Sequence, residues 1–173
     1  LKKKYNINET NFIVCEASYH ARIEKDLIHV NMGSPEYLQC PENIDEDLRV
    51  EKDGLTLSVE IKKDNFSFSF MPLSIGNNHC VVFSRDCFDH KDIISETIEN
   101  IFGYEMNIGF LTNINDFFDS NDTEVNLIVN ERGSGYTKSC GSGATAAAIC
   151  LFRLYELDRE IKVTNSSIKI RQQ

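Results

Sequence analysis

Apolar and polar positions alternate in step along much of this chain. Leu55, Leu57, Val59 and Ile61 alternate with Thr56, Ser58 and Glu60, and Phe66, Phe68 and Phe70 alternate with Ser67 and Ser69. A period of two marks a strand with one buried face. Lys63-Asp64-Asn65 between the two runs predicts a hairpin turn. Leu27 to Met32 carries the same period, with Ile28, Val30 and Met32 on one face, and Gly33-Ser34-Pro35 ends it as a turn. Val125, Leu127 and Val129 alternate with Asn126, Ile128 and Asn130, a strand that runs into Glu131. Asn11 to Glu16, Cys80 to Phe83 and Asn107 to Leu111 give shorter strand signals. Ile161-Lys162-Val163 and Ile168-Lys169-Ile170 predict a hairpin around Asn165-Ser166. Pro41 to Asp53 and Asp116 to Asp122 are polar and poorly periodic and read as surface loops.

Helical spacing occurs twice. Ile94, Ile98, Ile101 and Phe102 predict an amphipathic helix over Asp92 to Phe102, ending at Gly103. From Gly141 to Tyr155 the only charged residue is Arg153, so this helix should be buried on most faces. At ~1.5 Å per residue it is roughly 22 Å long, short for a membrane span. About eight one-faced strands and two helices, one of them apolar all round, predict an α+β fold with a curved sheet wrapped about that helix.

Charge and cysteine usage narrow the class. The chain has 173 residues, enough for one domain, with 18 Lys plus Arg against 27 Asp plus Glu and a net charge of -9. That balance argues against nucleic acid or an anionic membrane as partner. No apolar run is long enough to span a bilayer and the start has no signal-peptide core, so a cytoplasmic protein is expected. The cysteines stand at 15, 40, 80, 87, 140 and 150 with no Cys-x-x-Cys pair, so no zinc or other metal site is expected. Cys15, Cys80 and Cys150 lie in apolar runs and read as buried thiols, all six reduced. Leu1-Lys2-Lys3-Lys4 has no cap or turn logic, and the chain reads as a piece of a longer one.

The candidate chemistry gathers at the second helix. Gly133 and Gly135 break the chain before Cys140, and Gly141, Ser142 and Gly143 carry the free N–H groups of the first turn. Such an end attracts a carboxylate and lowers the pKa of a thiol beside it. The plainer alternative is a structural cysteine with glycines serving a turn. Likewise His79, taken alone, reads as a structural histidine beside a turn, and Glu131-Arg132 as a surface ion pair.

Taken together, these stretches resemble diaminopimelate epimerase. Glu131-Arg132-Gly133-Ser134-Gly135 followed by Cys140-Gly141-Ser142-Gly143-Ala144 and an alanine run matches the family's second catalytic motif. Val30-Asn31-Met32-Gly33-Ser34-Pro35, Gly76-Asn77-Asn78-His79-Cys80-Val81 and Asn107-Ile108-Gly109-Phe110 fit in the family's order. The resemblance implies a sheet closing like a barrel around a central helix, with residues 1–173 forming the second of two facing domains. It implies a cofactor-independent isomerase that interconverts LL- and meso-diaminopimelate with two cysteines, for lysine and cell-wall synthesis. Cys140 would be one of the pair, tuned by His79 and Glu131. Asn77, Asn107, Glu131, Arg132, Gly141 and Ser142 would hold the substrate. A homodimer is one assembly open to such a protein.

Three departures accompany the match. The family's other cysteine, in a Gly-Asn-Gly-x-Arg-Cys setting, is absent, and Cys15 and Cys40 lack that setting; it is expected upstream of Leu1. Gly135-Tyr136-Thr137 stands where Gly-Glu-Thr is expected, and Asn78 stands where a proline is expected. The last two leave open a racemase of another amino acid on the same fold. A catalytically inactive domain that binds an amino acid or serves assembly is the third reading.

Overall fold

The Ser–Phe alternation becomes the longest strand of a mixed sheet. The computed structural model of the chain describes residues 7–14, 16–25, 27–119, 124–156 and 161–165, and its contacts divide into two units, residues 1–35 and 36–173. The first unit is an antiparallel sheet of β1 (Glu9–Val14), β2 (Ala17–Glu24) and β3 (Leu27–Asn31). The predicted strand at 27–32 is therefore present, but every residue of β3 is exposed, Ile28 at 69%. Among the described residues this unit holds no helix or second sheet of its own against which to bury a face.

In the second unit, β4 (Glu36–Tyr37), β5 (Leu48–Asp53), β6 (Thr56–Ile61), β7 (Phe66–Ser74), β8 (Asn78–Val82), β9 (Asn107–Leu111), β10 (Glu124–Glu131), β11 (Gly135–Thr137) and β12 (Lys162–Asn165) form one nine-stranded sheet. The main path runs β11-β10-β9-β8-β7-β6-β5. Pairing is antiparallel except for β8 with β9 and β10 with β12. The outer edge of β10 is shared: β12 takes its first half and β11 its last three residues.

Among the described residues three α-helices accompany the sheet: α1 (Lys91–Phe102), α2 (Ile114–Asp119) and α3 (Gly141–Tyr155). Gly103 ends α1 at φ 74°, a left-handed conformation open to glycine at little cost, and its N–H bonds to the Glu99 carbonyl at 2.8 Å. Ile94, Ile98, Ile101 and Phe102 pack with Leu57, Val59, Phe68, Phe70, Cys80, Val82, Ile108 and Phe110 in one core. Neighbouring positions on β9 and β10 face the other way. A side chain at Gly109 would meet Leu127, and one at Gly143 of α3 would meet Val129. Thus α1 and α3 cover opposite faces of the middle strands.

That arrangement corrects the expected barrel. The sheet does not close: among the described residues its path ends at β5 on one side and β11 on the other. β9 is buried at all five positions and β8 at four of five. Strands apolar on both faces need a layer on each, and one central helix would cover only one. The helix expectation changes accordingly. α3 buries a single stripe, Gly143, Ala146, Ala147, Cys150 and Leu151, while Phe152 and Tyr155 remain about two-fifths exposed (39% and 41%).

The two predicted loops also hold structure. β5 lies inside Pro41 to Asp53. Only Leu48 and Val50 lean on the core, while Arg49 and Glu51 pair at 2.7 Å on the outside, so its charges hid the strand. α2 starts two residues before the second loop and runs into it, with Ile114 and Phe117 buried three positions apart and the Phe117 N–H on the Asn113 carbonyl at 3.0 Å. β12 pairs in parallel with β10; the other arm of its predicted hairpin, at 168–170, lies outside the described residues. Cys80, Cys87, Cys140 and Cys150 are buried free thiols and Cys40 a half-buried one, while Cys15 lies outside the described residues. No helix among the described residues is long and apolar enough to cross a membrane.

Candidate active site

Three adjacent strands and one helix start bring His79, Asn107, Glu131 and Cys140 to one face, with Asn77 and Arg132 in the turns beside it. β8 and β9 run parallel with His79 opposite Asn107 and Val81 opposite Gly109, and Gly109 lies opposite Val129 of β10. A row of small and branched residues thus runs under the start of α3. Gly143 approaches it so closely that a Cβ there would sit 3.0 Å from the Val129 methyl and 3.1 Å from Cys140 Sγ. Two residues further along β8 and β10, on the same face, come His79 and Glu131.

Cys140 is the N-cap of α3, in an extended conformation (φ -135°, ψ 104°), and is 6% exposed. Its Sγ accepts the Gly143 N–H at 3.3 Å and lies 3.6 Å from Ser142 Oγ. Its carbonyl accepts the Ala144 N–H at 2.9 Å. The N–H groups of Gly141 and Ser142 have no protein acceptor among the described residues. The sequence suggested three free donors here; the thiol itself occupies the third. What remains is a pair of adjacent N–H groups at the positive end of a helix, beside a sulfur that can hold or release a proton.

His79 is 1% exposed, with Nε2 3.1 Å from Asn77 Oδ1. Burial pushes its pKa down to about 4, partly opposed by the Glu131 carboxylate, so the ring is neutral at pH 7. The ordinary value is near 6.5, so as pH falls the unfolded chain takes up this proton before the folded one. Stability gained by keeping His79 neutral is therefore complete above about pH 6.5 and lost as pH falls through about 4. Denaturant midpoints measured from pH 7 to pH 4 are expected to fall, and His79→Gln is expected to flatten that fall.

Asn107 is 8% exposed and uses both ends of its amide. Nδ2 donates to the Asn78 carbonyl at 3.0 Å, and Oδ1 accepts the Arg132 N–H at 3.1 Å. It therefore ties the turn before His79 to the turn after Glu131. Arg132 and Asn77 are exposed, and Arg132 makes no ion pair among the described residues, so the surface-pair reading fails. Glu131 accepts from Thr137 Oγ1 instead. No hydrogen bond among the described residues joins Cys140 to His79 or Glu131.

Two contributors escaped sequence reading, Thr137 and the Asn78 carbonyl. β11 is too short for alternation to show which way Thr137 points. Its neighbour Tyr136 points away from Cys140, onto the α1 face, where its ring lies edge-on to Phe88 at 6.1 Å. Burial pushes its phenol up to about 12, helped by Asp92. Ser95 lies close by and eases that shift, yet neither hydroxyl meets hydrogen-bond geometry, and both are shut from solvent. A buried hydroxyl without a partner costs stability. Tyr136→Phe is thus expected to leave the fold as stable or raise it by about 1 kcal/mol in urea unfolding.

Comparison with known proteins supplies a context. Residues 71–170 match the family model described as diaminopimelate epimerase. The diaminopimelate epimerase of Methanocaldococcus jannaschii is 29% identical over 148 residues, covering 78% of this chain and 47% of that protein. That of Halothermothrix orenii is 31% identical over 132 residues, with 73% and 42% covered. That of Legionella pneumophila is 31% identical over 144 residues, with 81% and 48% covered. The chain spans about half the length of the curated relatives it matches.

Proposed function

The chain belongs to the diaminopimelate epimerase family, and from that premise we propose that it carries one side of an active site that interconverts LL- and meso-diaminopimelate. In this reading the protein is a cofactor-independent isomerase of the cytoplasm, and residues 1–173 correspond to one of its two facing domains. The observation that carries the reading is the buried thiol of Cys140 set beside two N–H groups at the start of α3 that have no acceptor among the described residues. The α-proton of an amino acid is a weak acid, and its removal leaves charge that spreads onto the carboxylate. The Gly141 and Ser142 N–H groups would receive that carboxylate, fixed in advance where the charge grows. Arg132, exposed and without an ion pair among the described residues, can add a two-pronged grip. Asn77 offers an amide that both donates and accepts, suited to a zwitterionic end.

Inversion needs two acid/base groups on opposite faces of the α-carbon. Cys140 would serve one face: as thiolate it takes the α-proton and becomes a thiol, or as thiol it returns a proton to the carbanion. The opposing group, a second cysteine by the family resemblance, would come from the half of the relatives' length that residues 1–173 do not match. Neutral His79 and the nearby Glu131 would tune proton affinity at the site without consuming a proton in each turnover.

The test is alkylation of Cys140 by iodoacetamide at pH 7, mapped by mass, with and without diaminopimelate. Faster modification than a model peptide, slowed by diaminopimelate, is the expected result. A rate no greater than that of the peptide, unchanged by diaminopimelate, would sink the reading and leave a structural cysteine. Protection by another amino acid in place of diaminopimelate would shift the assignment to a racemase of that substrate. Tyr136, one of the two departures that suggested such a shift, has its side chain on the opposite face from Cys140.

A further inference from the structure

The two faces of β11 carry different loads. Tyr136 pairs with Asn130 across the ladder and turns its ring onto the α1 core. Its neighbour Thr137 must then face the other way, toward the side that carries His79 and Cys140. There Thr137 Oγ1 donates to Glu131 Oε1. Glu131 is the last residue of β10, opposite Gly135, which offers no side chain to steady it. It makes no ion pair among the described residues, and the threonine hydroxyl is the one hydrogen-bond donor to its carboxylate there.

We propose that Thr137 is a positioning residue, which holds the Glu131 carboxylate turned toward His79, with the Tyr136 ring as the peg that fixes β11 in place. His79 lies opposite Asn107, and the β9–β10 register sets Asn107 beside Glu131, so the carboxylate and the ring share one row two strands apart; a half-buried glutamate at a strand end has many rotamers open to it. Without the hydroxyl, the carboxylate is better hydrated pointing away from the sheet. The threonine therefore selects the rotamer that keeps a negative charge near the buried imidazole. Valine at 137 has the same shape and the same strand preference but no donor, so it removes the selection while keeping the packing. This inference rests on the reading of Glu131 and His79 as site residues, but its test does not use activity.

The experiment is an NMR titration of the His79 ring in the chain itself, in wild type, Glu131→Gln, Thr137→Val and Thr137→Ser, with amide spectra confirming the fold of each. Glu131→Gln removes the charge that raises the His79 midpoint and is expected to lower it. Thr137→Val is expected to lower it by at least half as much, and Thr137→Ser to restore the wild-type value. Thr137→Ala replaces the valine variant if that one does not fold. A wild-type midpoint in Thr137→Val alongside a lowered one in Glu131→Gln would overturn the proposal. An unchanged midpoint in Glu131→Gln would overturn it too. A merely structural threonine leaves the midpoint where it is. Failure of the epimerase reading shows instead in Cys140 alkylation, which this titration does not touch.

Discussion

Cys140→Ala is expected to reduce α-proton exchange into diaminopimelate by about 100-fold to 10,000-fold, the usual contribution of one positioned acid/base group. The assay is deuterium wash-in at the α-carbon, on protein spanning the full length of its relatives. Alanine removes two things at once. It deletes the proton carrier, and it deletes the acceptor that caps the Gly143 N–H at 3.3 Å. Loss of a helix cap costs about 1 kcal/mol, so a fall in activity alone could reflect a frayed helix start. Cys140→Ser separates the two. Its hydroxyl can still accept from Gly143, yet it is far too weak an acid to shuttle a proton near neutral pH. Serine should keep the stability and lose the exchange as fully as alanine. Wild-type exchange in the serine variant would remove the thiol from the chemistry.

Asn107→Leu should bring the largest loss of stability among the site residues, about 2–5 kcal/mol in denaturant unfolding. Leucine fits the volume but offers neither donor nor acceptor. The Asn78 carbonyl and the Arg132 N–H, which asparagine holds at 3.0 and 3.1 Å, both lose their partners. Each stranded backbone group costs about 1–3 kcal/mol where water cannot reach it. The two turns would also come apart, one carrying Asn77 and the other Arg132. Asn107→Asp tests the geometry, since a carboxylate can keep the Arg132 contact but repels the carbonyl of Asn78. It should fall between wild type and leucine. If leucine costs less than 1 kcal/mol, the amide is not the tie between the turns.

The sequence was most informative where one physical demand acted alone. Leu57, Val59 and Ile61 had to turn one way, and they do. Gly103 had to end α1, and its backbone is left-handed there. Cys140 at a glycine-rich helix start was legible because backbone donors and a thiol need little else around them. Residues under two demands were harder to read. Leu48 and Val50 sit in an edge strand whose charged neighbours face water, so the segment resembled a loop. β8 and β9 are buried on both faces, which erases alternation and hides the need for a second covering layer. The resemblance implies a substrate-holding role for Asn107, and in the structure its amide also ties two turns together. Its partners are backbone groups of residues 29 positions before and 25 after it, and no local pattern records them. Thr137 was invisible for the same reason, its role depending on which face of a three-residue strand it occupies.

The shared edge of β10 has a consequence for the order in which the molecule assembles. β11 follows β10 through a tight turn and can zip onto it at once. β12 can add to the same edge only after the whole of α3 has been laid down, a far longer closure and so a later one. The last rung formed is in general among the first to loosen. Loss of β12 should nevertheless leave α3 seated, because Ala146, Ala147, Cys150 and Leu151 are buried along its length and the Arg153 Nε donates to the Tyr37 hydroxyl at 2.8 Å. The position of the Cys140 thiol is thus set by the sheet beneath the helix and does not wait on the last strand to join.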